Sequence, residues 1–142
     1  MDDMHGLRVL HSARELERAV VEIARKNRVP DPARLMSQLC RGANSVGAKI
    51  AEGMGAATVK ERLQFLRRAH RSGSETSYHI RSGWDCGLFP KTMFWWLRDR
   101  SAVNLRMIKG LIVDVERRAK KEEAQGKRRS YGSPRSKRKK RP

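Results

Sequence analysis

Apolar residues recur every three or four positions along four stretches of the chain, and this spacing is the period of an α-helix. The first stretch opens with Ser12-Ala-Arg-Glu15, a capping box in which the serine hydroxyl accepts a hydrogen bond from the Glu15 amide. The pattern stops at Asn27-Arg-Val-Pro30, so the first helix is predicted to begin at Ser12 and to end before this turn. Its apolar positions are Leu16, Val20, Ile23 and Ala24.

The second helix is predicted to begin at Asp31, the expected N-cap, with Pro32 at the first helical position, where a missing N–H costs nothing. Gly53 or Gly55 is expected to end this helix in the left-handed conformation. The apolar side of the helix is formed by Leu35, Leu39, Ala43, Val46 and Ile50.

The third helix is predicted from a second capping box, Thr58-Val-Lys-Glu61, to the helix-breaking sequence Gly87-Leu-Phe-Pro90. Its inner side is formed by Leu63, Leu66, His70, Ser77, Ile80 and Trp84. The fourth helix is predicted to begin near Thr92. Its inner side is formed by Trp96, Val103, Met107, Ile108, Leu111 and Val115.

The four helices together predict an all-α fold. No stretch of the sequence alternates apolar and polar residues as a half-buried strand does. The connections between the predicted helices are short, which favours antiparallel neighbours and an up-down four-helix bundle. The expected organisation is a lead-in over residues 1–11, the bundle over 12–120 and a basic, disordered tail over 121–142.

Small residues interrupt the second and third helices. Glycine inside a helix costs about 1 kcal/mol relative to alanine, so Gly42, Gly47 and the segment Ser72-Gly-Ser74 indicate close helix crossings. On the polar face opposite the apolar stripe, side chains are expected to brace helices or to seat a second subunit. A solvated surface is the alternative for these positions. The bracing candidates are Arg41, Ser45, Glu52 and Glu75.

The charge of the chain indicates a polyanionic partner. Its 142 residues include 33 Lys and Arg against 15 Asp and Glu, a formal net charge of +18. Such a surplus repels itself until an anion such as nucleic acid neutralises it. Part of it lies in the tail, whose cations are expected to hold RNA or complementary DNA through salt-sensitive phosphate contacts. A membrane surface or simple solubility are the alternatives. These cations are Lys127, Arg128, Arg129, Arg135, Lys137, Arg138, Lys139, Lys140 and Arg141.

A second basic stripe lies on the polar side of the third helix. Four-residue spacing aligns side chains at intervals of about 6 Å, and the row consists of Lys60, Gln64, Arg67 and Arg71, with Arg68 beside it. We expect this row to contact phosphates, although a solvated face is the alternative. Trp84 and Trp96 are expected in the core, whereas Trp95 is the candidate for stacking on a base.

The sequence favours a protein without catalytic activity, cofactor or metal. Its four histidines share no ligand spacing with one another or with Cys40 and Cys86, which are expected to be reduced core thiols. No metalloprotease, phosphate-loop or di-iron motif occurs. No secretory signal or run of 18 apolar residues is present, which predicts a cytoplasmic protein with no membrane association.

Two segments resemble a known family. Gln38-Leu-Cys-Arg-Gly-Ala-Asn-Ser-Val-Gly-Ala-Lys-Ile-Ala-Glu-Gly53 is similar to the signature of the "four helix bundle protein" family. Ala69-His-Arg-Ser-Gly-Ser-Glu75, followed by Gly87-Leu88, is similar to that family's second block. The resemblance spans roughly residues 12–118. It departs at Lys49, where the family usually has Asn, and at Gly42, where Ala is common.

The family includes proteins encoded in intervening sequences of 23S rRNA genes and Avd, the accessory variability determinant of diversity-generating retroelements. The resemblance implies a homopentamer that scaffolds a reverse transcriptase and its template RNA during mutagenic retrohoming. The +18 charge favours the Avd-like branch. The alternatives are a stand-alone RNA-binding protein of the intervening-sequence branch and a module for protein–protein interaction alone.

Overall fold

A computed structural model of the chain describes the backbone of residues 3–132 and the side chains of residues 4–126. This part of the chain forms four α-helices and no strand, which confirms the all-α prediction. The helices are α1 (Asp3–Lys26), α2 (Leu35–Met54), α3 (Val59–Asp85) and α4 (Lys91–Gly132).

The helices pack as a ring in which each one contacts two others: α1 contacts α2 and α4, and α3 also contacts α2 and α4. Short connections make consecutive helices antiparallel, so the arrangement is the predicted up-down bundle. None of the described helices is both long and apolar enough to cross a membrane.

The start of α1 differs from the prediction. This helix begins at Asp3, so the expected lead-in is helical, and the capping box predicted at Ser12 lies inside the helix. The apolar stripe extends backward through Ala13 and Val9, both of which are buried. The Ser12 hydroxyl accepts instead from Asn104 Nδ2 at 3.3 Å. A contact with α4, distant in sequence, therefore replaces the predicted local cap.

Asp31 caps α2, but not in the predicted geometry. Its carboxylate accepts from the Leu35 and Met36 amides, both at 2.9 Å. Helical structure begins at Leu35, after Arg34 adopts a left-handed conformation with φ 54°, so Pro32 precedes the helix and is not its first residue. At the other end, Gly55 is the C-cap with φ −87°, which is not the left-handed conformation that was predicted.

The ends of α3 follow the sequence closely. The Thr58 hydroxyl accepts from the Glu61 amide at 3.1 Å, as the second capping box predicts. At the C-terminal end, Gly87 has φ +71°, a conformation that glycine adopts without strain. The Leu88 amide bonds the Gly83 carbonyl at 2.9 Å across this turn, which is the pattern of a Schellman motif.

The fourth helix begins at Lys91, close to the predicted Thr92, and continues to Gly132. The expectation that helical structure ends near residue 120 is therefore wrong, since the first part of the expected tail is a continuation of α4. Residues 133–142 lie outside the described part of the chain.

The core consists of two apolar clusters separated by a layer of hydrogen-bonded polar side chains. One cluster surrounds Leu39, Ile80 and Leu97, and the other surrounds Val46 and Ile108. Between them, Ser77 and Ser101 share a hydrogen bond of 2.6 Å, and the Thr76 hydroxyl donates to the Ser72 carbonyl at 2.7 Å. The polar layer consists of Ser12, Thr76, Ser77, Ser101 and Asn104.

The polar layer shifts the inner face of α4 from its predicted position. Phe94 and Leu97 are buried, whereas Trp96 is 42% exposed and Val103 is 40% exposed. The prediction that Trp96 and Val103 belong to the core is wrong because two inward positions of α4 are polar. Trp84 does pack against the core, with its ring stacked on Phe94 at a centroid distance of 5.2 Å.

The two cysteines differ in environment. Both thiols are free; Cys40 is half-buried, and burial raises its pKa, with the nearby Glu17 carboxylate adding to the effect. Cys86 is exposed at the C-cap of α3, so the expectation that it is a core thiol is wrong.

Candidate nucleic-acid interface

A groove between α3 and α4 collects exposed cations from both helices. Arg67 and Arg71 project from α3 one turn apart, and Lys109 approaches from α4. We call this part of the groove the charged stretch. It is lined by Arg67, His70, Arg71, Lys109, Ile112, Val113 and Glu116.

The charged stretch has more positive than negative groups. Its one carboxylate, Glu116, pairs with Arg67 at 3.1 Å, and both side chains are largely exposed to solvent. Within the described residues, neither Arg71 nor Lys109 forms an ion pair. These two cations, from different helices, are therefore available to an anion in the groove.

The same α3–α4 interface opens again toward the end of the bundle where α4 begins. This second opening, which we call the aromatic stretch, has a volume of about 470 Å³. Its cations are Arg81, Lys91 and Arg98, and only Arg81 has an acidic partner among the described residues, Asp85 at 3.1 Å. The lining consists of Ser77, Ile80, Arg81, Trp84, Lys91, Phe94, Trp95, Arg98, Ala102 and Leu105.

The tryptophan predicted to stack on a base lies at the edge of the aromatic stretch. Trp95 is 44% exposed, and its ring meets Phe94 edge-on at a centroid distance of 5.5 Å. The guanidinium of Arg98 lies 4.8 Å from the Trp95 ring centroid. Phe94 is itself buried and stacked on Trp84.

The cations of the row predicted on α3 do not all lie in the groove. Arg67 and Arg71 line the groove, whereas the guanidinium of Arg68 lies over the Phe65 ring at 5.7 Å. Lys49 of α2 approaches the same ring, so Arg68 is directed toward α2. Lys60 is exposed in the first turn of α3, outside both stretches of the groove.

The cations that α4 supplies were missed in the sequence. Lys91, Arg98 and Lys109 of α4 line the groove together with Arg81 of α3, which was also missed. A signal was present, since Arg98 and Lys109 are eleven residues apart and thus lie on one side of a helix with 3.6 residues per turn. Which side of α4 faces α3 becomes clear only once the inner face of the helix is placed correctly.

The side chains of all the tail cations lie outside the described part of the structure. Residues Lys127, Arg128 and Arg129 lie within the helical range of α4. The positions of Arg135, Lys137, Arg138, Lys139, Lys140 and Arg141 lie outside the described residues. Their contact with phosphate stays a prediction.

The bracing candidates occupy different positions on the bundle. The Ser45 hydroxyl bonds that of Ser72 at 3.0 Å, which links α2 to α3 within the chain. Glu52 pairs with Lys49 on its own helix at 3.5 Å. Arg41 and Glu75 are exposed, and no ion pair joins Glu75 to Arg71 in the described structure. A role for Arg41, Glu52 or Glu75 between subunits stays a prediction.

Potential metal ligands are scattered across the bundle. Among the described residues, no three His, Cys, Asp or Glu side chains lie close enough together to hold a metal ion. His5 contacts Asp114 at 3.4 Å, and His11 contacts Glu15 at 3.3 Å. These contacts join pairs of side chains and do not form a ligand set.

Comparison with known proteins gives a family and a fold. The sequence model of the family described as 23S rRNA-intervening sequence protein matches residues 5–110. A solved structure from Bacteroides thetaiotaomicron, a protein of unknown function in the S23 ribosomal protein family, is similar with a TM-score of 0.67. The two chains are 18% identical over 76% of this chain and 97% of that one, so the similarity shows a common fold. No curated protein matches the chain.

Proposed function

The chain belongs to the 23S rRNA-intervening sequence protein family, and we propose that it is a non-catalytic protein that holds RNA in the groove between α3 and α4. The observation that carries this proposal is the convergence on one groove of Arg71 and Lys109, two cations from different helices that have no acidic partner among the described residues. Phosphates would supply that partner.

The rest of the charge distribution supports the same function. The aromatic stretch adds three further cations along the same interface, Arg81, Lys91 and Arg98. Arg67 and Arg81 lie fourteen positions apart on α3, a distance of about 20 Å at 1.5 Å per residue. A single RNA strand is able to contact several cations along this length, and each phosphate that is neutralised releases counterions.

A pair of triple variants tests the groove at constant net charge. The groove variant combines Arg67→Ala, Arg71→Ala and Lys109→Ala. The control combines Arg8→Ala, Arg14→Ala and Arg18→Ala, three exposed positions on α1, at the corner of the bundle opposite α3. Affinity for a single-stranded RNA of about 12 nucleotides, within the range of known single-strand sites, is measured from low salt to roughly 0.2 M salt.

The groove variant is expected to bind at least about tenfold more weakly at moderate salt. Its plot of log affinity against log salt is expected to be shallower by about 2, since each lost phosphate contact removes about 0.7 from the slope. The α1 control is expected to change far less. Equal losses in the two variants would contradict a site in the groove, and a wild-type protein that binds no RNA at low salt would contradict the function itself.

The tail is proposed to add phosphate contacts to those of the groove. Truncation after Gly132 removes Arg135 and the cations from Lys137 to Arg141. The truncated protein is expected to lose affinity and salt dependence beyond the effect of the groove variant. Unchanged RNA affinity after truncation would assign the tail to solubility.

A narrower form of the proposal makes the protein an accessory subunit of a diversity-generating retroelement. The resemblance of residues 38–53 and 69–75 to the four helix bundle protein family, which includes Avd, supports it, and the +18 charge favours the Avd-like branch. This form requires a reverse transcriptase partner and a homopentamer. Purification from native cells tests the partner, because recovery of ribosomal RNA without a reverse transcriptase would favour the intervening-sequence branch. Light scattering measures the number of subunits.

A further inference from the structure

The aromatic stretch has a chemical character that phosphate binding alone does not require. Its lining combines the apolar side chains of Ile80, Ala102 and Leu105 and the rings of Trp84 and Phe94 with the exposed cations Arg81, Lys91 and Arg98. A strip of positive charge would suffice for a sugar–phosphate backbone, whereas apolar side chains among cations suit a flat, uncharged ring that is joined to phosphates on either side.

Trp95 offers the exposed ring that such a ligand would contact. Close to half of its surface is open to solvent, its ring meets Phe94 edge-on, and the Arg98 guanidinium lies over one face of the ring. Aromatic side chains of this kind stack on bases of single-stranded nucleic acids, and a neighbouring arginine adds a cation–π contribution.

We propose that the aromatic stretch binds an unpaired base of single-stranded RNA, with the base on Trp95 and the flanking phosphates on Lys91 and Arg98. This inference rests on the proposed RNA-binding function and adds the form of RNA that is preferred. Bases inside a duplex are stacked on each other and are not accessible to Trp95, so loops, bulges and free ends are the favoured targets.

Trp96 provides a matched control on the adjacent position. It is 42% exposed, and the guanidinium of Arg100 lies 5.2 Å from its ring centroid, much as Arg98 lies near Trp95. Trp96, however, does not line the groove. The two tryptophans therefore share exposure and a neighbouring arginine and differ in their position relative to the α3–α4 interface.

The experiment compares three RNA ligands that present similar phosphates. These are a single strand of about 12 nucleotides, the same strand with abasic sites in its central part, and a duplex of the same sequence. The wild-type protein is expected to prefer the intact strand over the abasic strand by about tenfold, as expected for stacking of one base. Trp95→Ala is expected to abolish this preference and to leave duplex affinity unchanged.

Two further variants define the outcome. Trp95→Phe is expected to retain most of the preference because it keeps an aromatic face, and Trp96→Ala is expected to retain all of it. Thermal unfolding of each variant checks that the bundle is intact. If the wild type binds intact and abasic strands equally, or if Trp96→Ala loses as much preference as Trp95→Ala, the base site is wrong although RNA binding in the groove stands. If no RNA binds at all, both proposals fail.

Discussion

Gly42 of α2 faces Thr76 of α3 so closely that a β-carbon added at position 42 would lie 2.8 Å from Thr76 Oγ1. The threonine hydroxyl is unable to move aside easily, since Thr76 is fully buried and donates to the Ser72 carbonyl at 2.7 Å. The missing side chain at Gly42 thus allows the two helices to approach at the level of the polar layer.

Gly42→Ala is therefore expected to destabilise the protein. Overpacking costs about 1–3 kcal/mol, and the gain of about 1 kcal/mol in helix propensity offsets only part of it. Urea unfolding measures the difference. Adding Thr76→Ala removes the obstructing hydroxyl, so the double variant is expected to lose less than the sum of the two single variants. A Gly42→Ala protein as stable as the wild type would show that the crossing tolerates a methyl group.

Gly110→Ala is expected to have the opposite effect. Gly110 is exposed within α4, and apart from its chain neighbours and the adjacent backbone of its own helix, a β-carbon there would meet no atom within 4 Å. The substitution keeps the helix and restricts the unfolded chain, which is expected to stabilise the protein by about 0.5–1 kcal/mol. The same urea unfolding assay measures it, and any loss of stability would contradict the open environment of this position.

Asp31→Ala is expected to destabilise the start of α2 by about 1–2 kcal/mol. The substitution removes the acceptor of two backbone amides, those of Leu35 and Met36, which no other group in the helix satisfies. Asp99→Ala is the control, because it removes the same charge from an exposed position on α4. The two variants are compared by thermal and urea unfolding, and equal stability of both would argue against the cap.

Ser77 and Ser101 are expected to be coupled energetically. Their hydroxyls share a hydrogen bond of 2.6 Å in the polar layer, and Ser101 is 2% exposed. Either serine replaced by alanine leaves the other hydroxyl without this partner, at an expected cost of about 1 kcal/mol. The double variant removes both groups and is expected to cost less than the two single losses combined. A double-mutant cycle measures the coupling, and strict additivity would exclude it.

Glu22 is expected to titrate at unusually low pH. The hydrogen bond from Arg25 at 2.7 Å, followed by that from Lys26 at 3.1 Å, lowers the pKa of this carboxyl from 4.5 to about 2. A pKa lower in the folded than in the unfolded chain adds stability at pH values above about 4.5, and this contribution disappears as the pH falls toward 2. NMR titration of the side-chain carboxyl measures the pKa, and Arg25→Ala is expected to raise it. An unshifted titration would contradict the ion pairs.

The amino-acid sequence by itself determined the four helices, the all-α class and the inner face of α2. Of the side predicted to face inward on α3, Leu66 and Ile80 are buried, whereas His70 lines the groove. Helical periodicity depends on residues three and four positions apart, and the caps at Thr58 and Asp31 act within a few residues. Such local relationships are visible along the chain. The charge surplus, the exposure of Trp95 and the placement of Arg67 and Arg71 on one side of α3 followed from the same kind of evidence.

Only the tertiary structure decided where α1 begins, which side of α4 faces inward and which cations share a groove. Asn104 donates a hydrogen bond to Ser12 across the bundle. Because both side chains are polar, this part-buried contact is not visible in the periodicity of apolar residues. Lys109 faces Arg71 because two antiparallel helices pack in one particular register. That register places Gly73 against Leu105 and Ser77 against Ser101. Local spacing contains no information about such packing between distant segments.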